Sequence, residues 1–108
     1  MSTTKYALVH VRTEHRTRLG TGQAAARCRV HPELIDRFVQ LGLCDPVAWD
    51  DAGQEWVFTP EVVPLVRRIL RLRRDLGINY AGIGVVLDLL ARIEQLERER
   101  AAVDGRRY

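Results

Sequence analysis

Apolar residues recur with two different periods along this chain, and each change of period marks an element. From Tyr6 to Val11 (Tyr-Ala-Leu-Val-His-Val) the residues are β-forming and the run is short, which predicts one strand. His15 to Gly22 is basic and carries Gly20 and Gly22, the composition of a loop. Gln23 to Arg27 is alanine-rich and predicts a short first helix with Thr21 as its cap. Pro32 then suits a first helical position, where its missing N–H costs nothing, and Glu33 suits the positive end of the helix. Leu34, Ile35, Phe38, Val39 and Leu41 supply an apolar face for this second helix, and Gly42 ends it. Two short helices joined by the tight stretch Cys28 to His31 read as a helix-turn-helix.

The period then shortens. Pro46 to Trp49 and Glu55 to Phe58 predict two strands, and Asp50-Asp51-Ala52-Gly53 between them has turn chemistry, so the pair forms a small hairpin wing. Trp49 and Trp56 are placed to pack across that hairpin. Thr59-Pro60-Glu61 opens a third helix, in which Pro64 is expected to introduce a slight kink. Leu65, Ile69, Leu72 and Leu76 share one stripe of it, with Val62 and Val66 beside them; Arg67, Arg71 and Arg74 share the opposite stripe, and Gly77 stops the helix.

Asn79 caps a fourth, longest helix from about Tyr80 towards Val103. Ile83, Val85, Val86, Leu87, Leu89 and Leu90 spread over a wide arc suited to burial. Beyond them the pattern narrows to Leu89, Ile93 and Leu96, spaced four then three, which is the seam of a coiled coil. Val86, Leu89, Ile93 and Leu96 are therefore the expected interface of a homodimer. Asp88 with Arg92 and Glu94 with Arg98 stand four apart with the acid first, the better order for helix ion pairs. The fold class that follows is mainly α, one domain over residues 1–108. It comprises an N-terminal strand and basic loop (1–20), a helix-turn-helix with its wing (21–58), a third helix (59–78) and a long C-terminal dimerisation helix (79–103).

Composition narrows the function. With 46% hydrophobic and 29% charged residues, a chain of 108 residues can build a core without disulfides or metal. Met1 to Lys5 contains no basic segment leading into an apolar stretch, and no apolar run approaches the ~20 residues a bilayer span needs. A cytoplasmic protein without membrane contact is therefore expected, with Cys28 and Cys44 as reduced core thiols. Seventeen basic against fourteen acidic residues leave a net charge of +3, a mild excess that keeps nucleic acid open as a partner and makes the placement of the charge matter more than its sum. His10, His15 and His31 share no zinc-site spacing with the cysteines, and no phosphate loop or nucleophile elbow appears. Neither a catalytic residue, a metal nor a cofactor is expected, and His31 reads as the residue that enters the second helix.

The order helix, turn, helix, Leu-Gly-Leu-Cys-Asp-Pro, wing, Phe-Thr-Pro-Glu-Val-Val, arginine-bearing helix, Leu-Gly-Ile, long helix resembles the MerR family of winged helix-turn-helix regulators, from about Thr21 to Arg98. Gln54 to Phe58, Val66 to Asn79 and Gly82 to Leu90 look like one branch of that superfamily, the chaperone modulatory protein family (CbpM type). That resemblance implies a MerR-like fold and a protein that binds the J-domain of a DnaJ-like co-chaperone, inhibiting its work with Hsp70. The alternative it leaves is a MerR-type DNA-binding regulator.

The two readings make opposite demands on charge. A recognition helix needs Arg, Lys, Asn or Gln aimed at bases and phosphates, but the polar residues from His31 to Leu41 include Glu33 and Asp36 beside Arg37 and Gln40. The wing carries Asp45, Asp50, Asp51 and Glu55, with no Lys or Arg between Gln40 and Arg67. Both elements that a winged helix turns towards DNA have the wrong sign, so specific DNA binding is not expected. An acid rim around Leu43 and Trp49 instead has the anatomy of a protein interface. Glu33, Asp36, Leu43, Asp45, Trp49, Asp50, Asp51 and Glu55 are the expected partner-binding residues. The long helix is followed only by Asp104 to Tyr108, so no effector-sensing domain is expected.

Overall fold

In the computed structural model, residues 7–8 and 18–106 are described. The basic stretch 15–17, and the expected strand apart from Ala7 and Leu8, lie outside them. The chain runs β1 (Ala7–Leu8), β2 (Leu19–Gly20), α1 (Thr21–Cys28), α2 (Pro32–Gln40), β3 (Ala48–Asp50), β4 (Glu55–Phe58), α3 (Val62–Leu76) and α4 (Tyr80–Arg106).

The first helix begins two residues earlier than the alanine run suggests, because the stretch read as loop ends in a strand. Leu19 and Gly20 pair antiparallel with Phe58 and Val57, so the chain passes from sheet to helix without a linker. Gly20, in extended conformation, is the cap; its N–H donates to Gln23 Oε1 at 3.2 Å, half of a capping box. Thr21, expected as the cap, is the first helical residue, buried, with its hydroxyl donating to the Trp56 carbonyl at 3.2 Å. The helix ends on Arg29, which adopts the left-handed conformation (φ 59°, ψ 44°) that lets Val30 N–H reach the Ala25 carbonyl at 3.0 Å.

The second helix forms as its sequence dictates. His31 caps it, its Nδ1 accepting from Glu33 N–H at 3.1 Å, and Pro32 occupies the first position. Ile35 and Phe38 are fully buried.

The wing is the centre of a larger sheet than a hairpin, in the order β1-β3-β4-β2. β3 and β4 pair antiparallel with Ala48 opposite Val57, Trp49 opposite Trp56 and Asp50 opposite Glu55. β2 extends this antiparallel sheet on one side, and β1 lies parallel to β3 on the other.

The α3 helix begins at Val62, three residues after its expected cap. Thr59 and Pro60 instead form a turn whose carbonyls accept from Val62 and Val63 N–H at 3.0 and 3.1 Å. This shift removes the expected problem at Pro64, which falls in the first turn, where no intrahelical acceptor awaits its missing N–H. Val62, Val63, Val66 and Ile69 are buried, whereas Leu76 at the end of the expected stripe is 55% exposed. Gly77 (φ 68°) turns the chain there, a conformation glycine adopts without steric cost, and α4 leaves at 112° to α3.

Asn79 caps α4, its Oδ1 accepting from Gly82 N–H at 2.8 Å. Among the described residues of this helix only Ile83 is fully buried, and every residue from Ala91 to Gly105 is exposed. Twenty-seven residues extend for about 40 Å, which gives the molecule its long axis of 54 Å. The core therefore lies at one end, around Ile35, Phe38, Phe58, Val66, Ile69 and Ile83. Within the projecting half, Asp88–Arg92 and Glu94–Arg98 do not close into ion pairs; Gln95 donates to Glu99 at 3.1 Å instead. Among the described residues no single helix is long and apolar enough to cross a membrane.

Candidate functional site

The sign of the face made by α2 and the wing depends on where Arg37 goes. Its guanidinium lies over the Tyr80 ring, 5.9 Å from the centroid, and Arg73 lies over the same ring at 4.6 Å. Phe38 meets Tyr80 edge to face at 4.9 Å. The cation of α2 is thus drawn to the α3–α4 side by an aromatic ring, away from Glu33 and Asp36. At the start of the same helix, His31 Nδ1 accepts the Glu33 N–H and lies 3.8 Å from the Glu33 carboxylate.

Asp36 consequently faces the carboxylates of Glu33 and Glu55 and, among the described residues, no cation. Partial withdrawal from water raises its carboxyl above the ordinary value, and Glu33 and Glu55 raise it further. Among the described residues its carboxylate takes part in neither a hydrogen bond nor an ion pair.

The other acids have structural duties. Glu55 Oε1 accepts from Gly22 N–H at 3.0 Å, placing a carboxylate at the positive end of α1. Glu55 lies so close over Gly20 that a Cβ there would collide with its carboxylate. Asp50 Oδ1 accepts from Ala52 N–H at 3.1 Å, and Gln54 Nε2 donates to the Asp51 carbonyl at 2.8 Å. Asp50 and Asp51 thereby shape the wing turn as well as charging it.

Between α2, the start of α1 and the wing runs a groove of about 490 Å³, walled by Asp36, Trp49, Glu55 and Trp56. The two indoles meet edge to face with centroids 4.8 Å apart, at 74°. Glu33 stands one helical turn from Asp36, and Asp50 and Asp51 stand in the adjoining turn. Six of the eight expected partner-binding residues are therefore gathered on one face.

Leu43 and Asp45 are not. Leu43 is only 7% exposed and belongs to the core, in contradiction to its place at the centre of an interface. Its N–H bonds to the Phe38 carbonyl at 2.8 Å, which folds the chain inward after α2, and α4 closes over it. Asp45 rims a second cleft of about 460 Å³, beside Leu41, Arg68, Val85 and Asp88 on the side of α4. The inward fold also buries Cys44, whose neutral thiol is held up to about 12 by loss of water and then by Asp45. Cys28 and Cys44 are both free thiols.

On α4, Leu89, Ile93 and Leu96 are each more than half exposed, while Val86 is half-buried against the body. Val85 and Val103, equally exposed, were not expected on an outer face. Val103 continues the Leu89–Ile93–Leu96 seam at heptad spacing, a signal that extending the repeat by seven would have found. Among the described residues no group of three or more His, Cys, Asp or Glu side chains could hold a metal ion.

Helix-turn-helix, sheet-supported wing and projecting helix define a MerR-like winged helix. The sequence model of the family described as MerR HTH family regulatory protein matches residues 19–103. Chaperone modulatory protein CbpM of Salmonella paratyphi B and that of Salmonella newport are each 34% identical to this chain over 70 residues, 65% of this chain and 67% of theirs. The chain belongs to the MerR-like helix-turn-helix family and, within it, to the CbpM type.

Proposed function

We propose that this protein is a cytoplasmic chaperone modulator that binds the J-domain of a DnaJ-like co-chaperone and inhibits its action with Hsp70. It works by occupation of a surface, as a homodimer joined through Val86, Leu89, Ile93 and Leu96, and not by catalysis. The observation that carries the reading is the charge of the α2–wing face. Glu33 and Asp36 stand there while Arg37 is held at Tyr80, so phosphates would be repelled and a basic protein helix attracted. The name of the CbpM relatives supports the same class of partner. Glu33, Asp36, Trp49, Asp50, Asp51 and Glu55 form the docking face; Asp45 lies round the corner from it.

Calorimetric titration with the J-domain of the co-chaperone tests this. Charge reversal at the wing, Asp50→Lys with Asp51→Lys, should slow association and weaken its salt dependence. Unchanged affinity in a folded double variant would move the docking face to α3 and the start of α4.

The second reading, a MerR-type transcriptional regulator, is favoured by the description of the matching family as regulatory proteins. It requires an operator to be recovered.

A further inference from the structure

The groove between α2 and the wing has a chemical character that a charged rim alone does not give it. One wall is aromatic, from Trp49 and Trp56, and the opposite side carries Asp36, with Glu55 at the end nearest α1. We infer that this groove receives an arginine side chain of the partner protein, with the guanidinium between the Trp49 indole and the Asp36 carboxylate. The inference rests on the docking face proposed above and names what that face recognises.

Three observations choose this occupant. Charge complementarity comes first: Asp36 lies among carboxylates, and the nearest cation on its own helix, Arg37, is committed to Tyr80. A cation entering from outside would relieve that repulsion and supply the partner that Asp36 lacks among the described residues. Second, Glu55 already gives Oε1 to Gly22 N–H, whereas both Asp36 oxygens are uncommitted among the described residues. Third, the aromatic wall separates arginine from lysine. A guanidinium is planar and weakly hydrated, stacks on indole and bonds a carboxylate through two N–H groups. An ammonium is a strongly hydrated point charge that would give up more solvation on packing against an indole. Tryptophan and arginine are also the residues over-represented at the energetic centres of protein interfaces.

N-acetyl-arginine amide, N-acetyl-lysine amide and N-acetyl-citrulline amide are the probes, added to the full chain while the Trp49 and Trp56 indole N–H resonances are followed. The arginine amide should shift both indoles and the Asp36 backbone amide saturably in the millimolar range. The lysine amide should bind several-fold more weakly, and the neutral citrulline amide should leave them unmoved. Asp36→Asn should abolish the arginine effect with the fold retained. Equal responses to arginine and lysine, or none to arginine, would overturn the inference.

A second arm uses the J-domain itself. Asp36→Asn and Trp49→Leu should each weaken its binding about thirtyfold or more, the loss that marks an interface hot spot. If Trp49→Leu does not fold, Asp36→Asn alone decides. Binding of the J-domain at equal strength to wild type and Asp36→Asn defeats the groove and leaves the choice of partner standing. A wild type that ignores the J-domain but takes the arginine amide defeats the choice of partner and leaves the groove standing.

Discussion

Trp49 and Trp56 sit directly opposite each other in the β3–β4 ladder, and their rings meet edge to face with centroids 4.8 Å apart. Edge-to-face pairs contribute about 0.5–1.5 kcal/mol beyond the area they bury. A double-mutant cycle with Trp49→Leu and Trp56→Leu, read by urea unfolding, should return a coupling energy in that range. Additive single costs would show that the rings are neighbours without being partners.

Leu43 is a core residue, so its truncation should act on stability and not on the lifetime of a complex. Leu43→Ala should cost roughly 2–5 kcal/mol, the usual range for a buried leucine. Denaturant unfolding measures this; a loss below about 1 kcal/mol would mean that the side chain is not packed as described.

Arg29 closes α1 in a left-handed conformation at φ 59°, where any Cβ is crowded. Arg29→Gly should therefore raise stability by about 0.5–1 kcal/mol, even though glycine loosens the unfolded chain. A lower melting temperature in the variant would contradict this account of the turn.

The pH dependence of stability should carry the signature of Cys44. Its folded value, about 12, lies above the ordinary thiol value, so the folded state holds the proton more tightly. That contribution is complete below the unfolded value of ~8.5 and is lost as pH rises from there through the folded value. Melting temperatures should fall above about pH 9, and less steeply in Cys44→Ala. Parallel curves for the two proteins would assign the alkaline loss to other groups.

The exposed seam makes a demand on assembly. Ile93→Asp places a charge where the homodimer proposal puts a partner helix, and should yield a monomer that keeps most of its helix by circular dichroism. If the wild type already sediments as a monomer at tens of micromolar, a range chosen to reveal micromolar association, the dimer proposal fails.

Near physiological salt, mobility shifts should show only weak, salt-sensitive and sequence-independent DNA binding. Recovery of one palindromic operator at nanomolar affinity would replace the chaperone reading with the regulator.

The four helices and the wing hairpin were legible in the sequence, because each is marked by local chemistry. Pro32 beside His31, Gly77 at the end of α3 and Asn79 before α4 act within a few residues of themselves, and the structure uses each as expected. So do the opposed tryptophans, whose spacing around a turn sets the register of a hairpin. The charge of the wing could be counted directly, since no cation stands between Gln40 and Arg67.

Only the tertiary structure decided what depends on partners distant in sequence. Leu19 and Gly20 form a strand because β4, almost forty residues later, offers them an open edge; alone they read as loop. Leu43 is apolar next to an acidic wing, which suits an interface centre as well as a core, and the closure of α4 over it settles the matter. The same holds for Arg37, whose position on α2 suits a solvent-facing cation. Its position over Tyr80, a residue of α4, leaves Asp36 without a cation among the described residues. Periodicity tells which residues share a face, but the angle at which one element crosses another determines what that face meets.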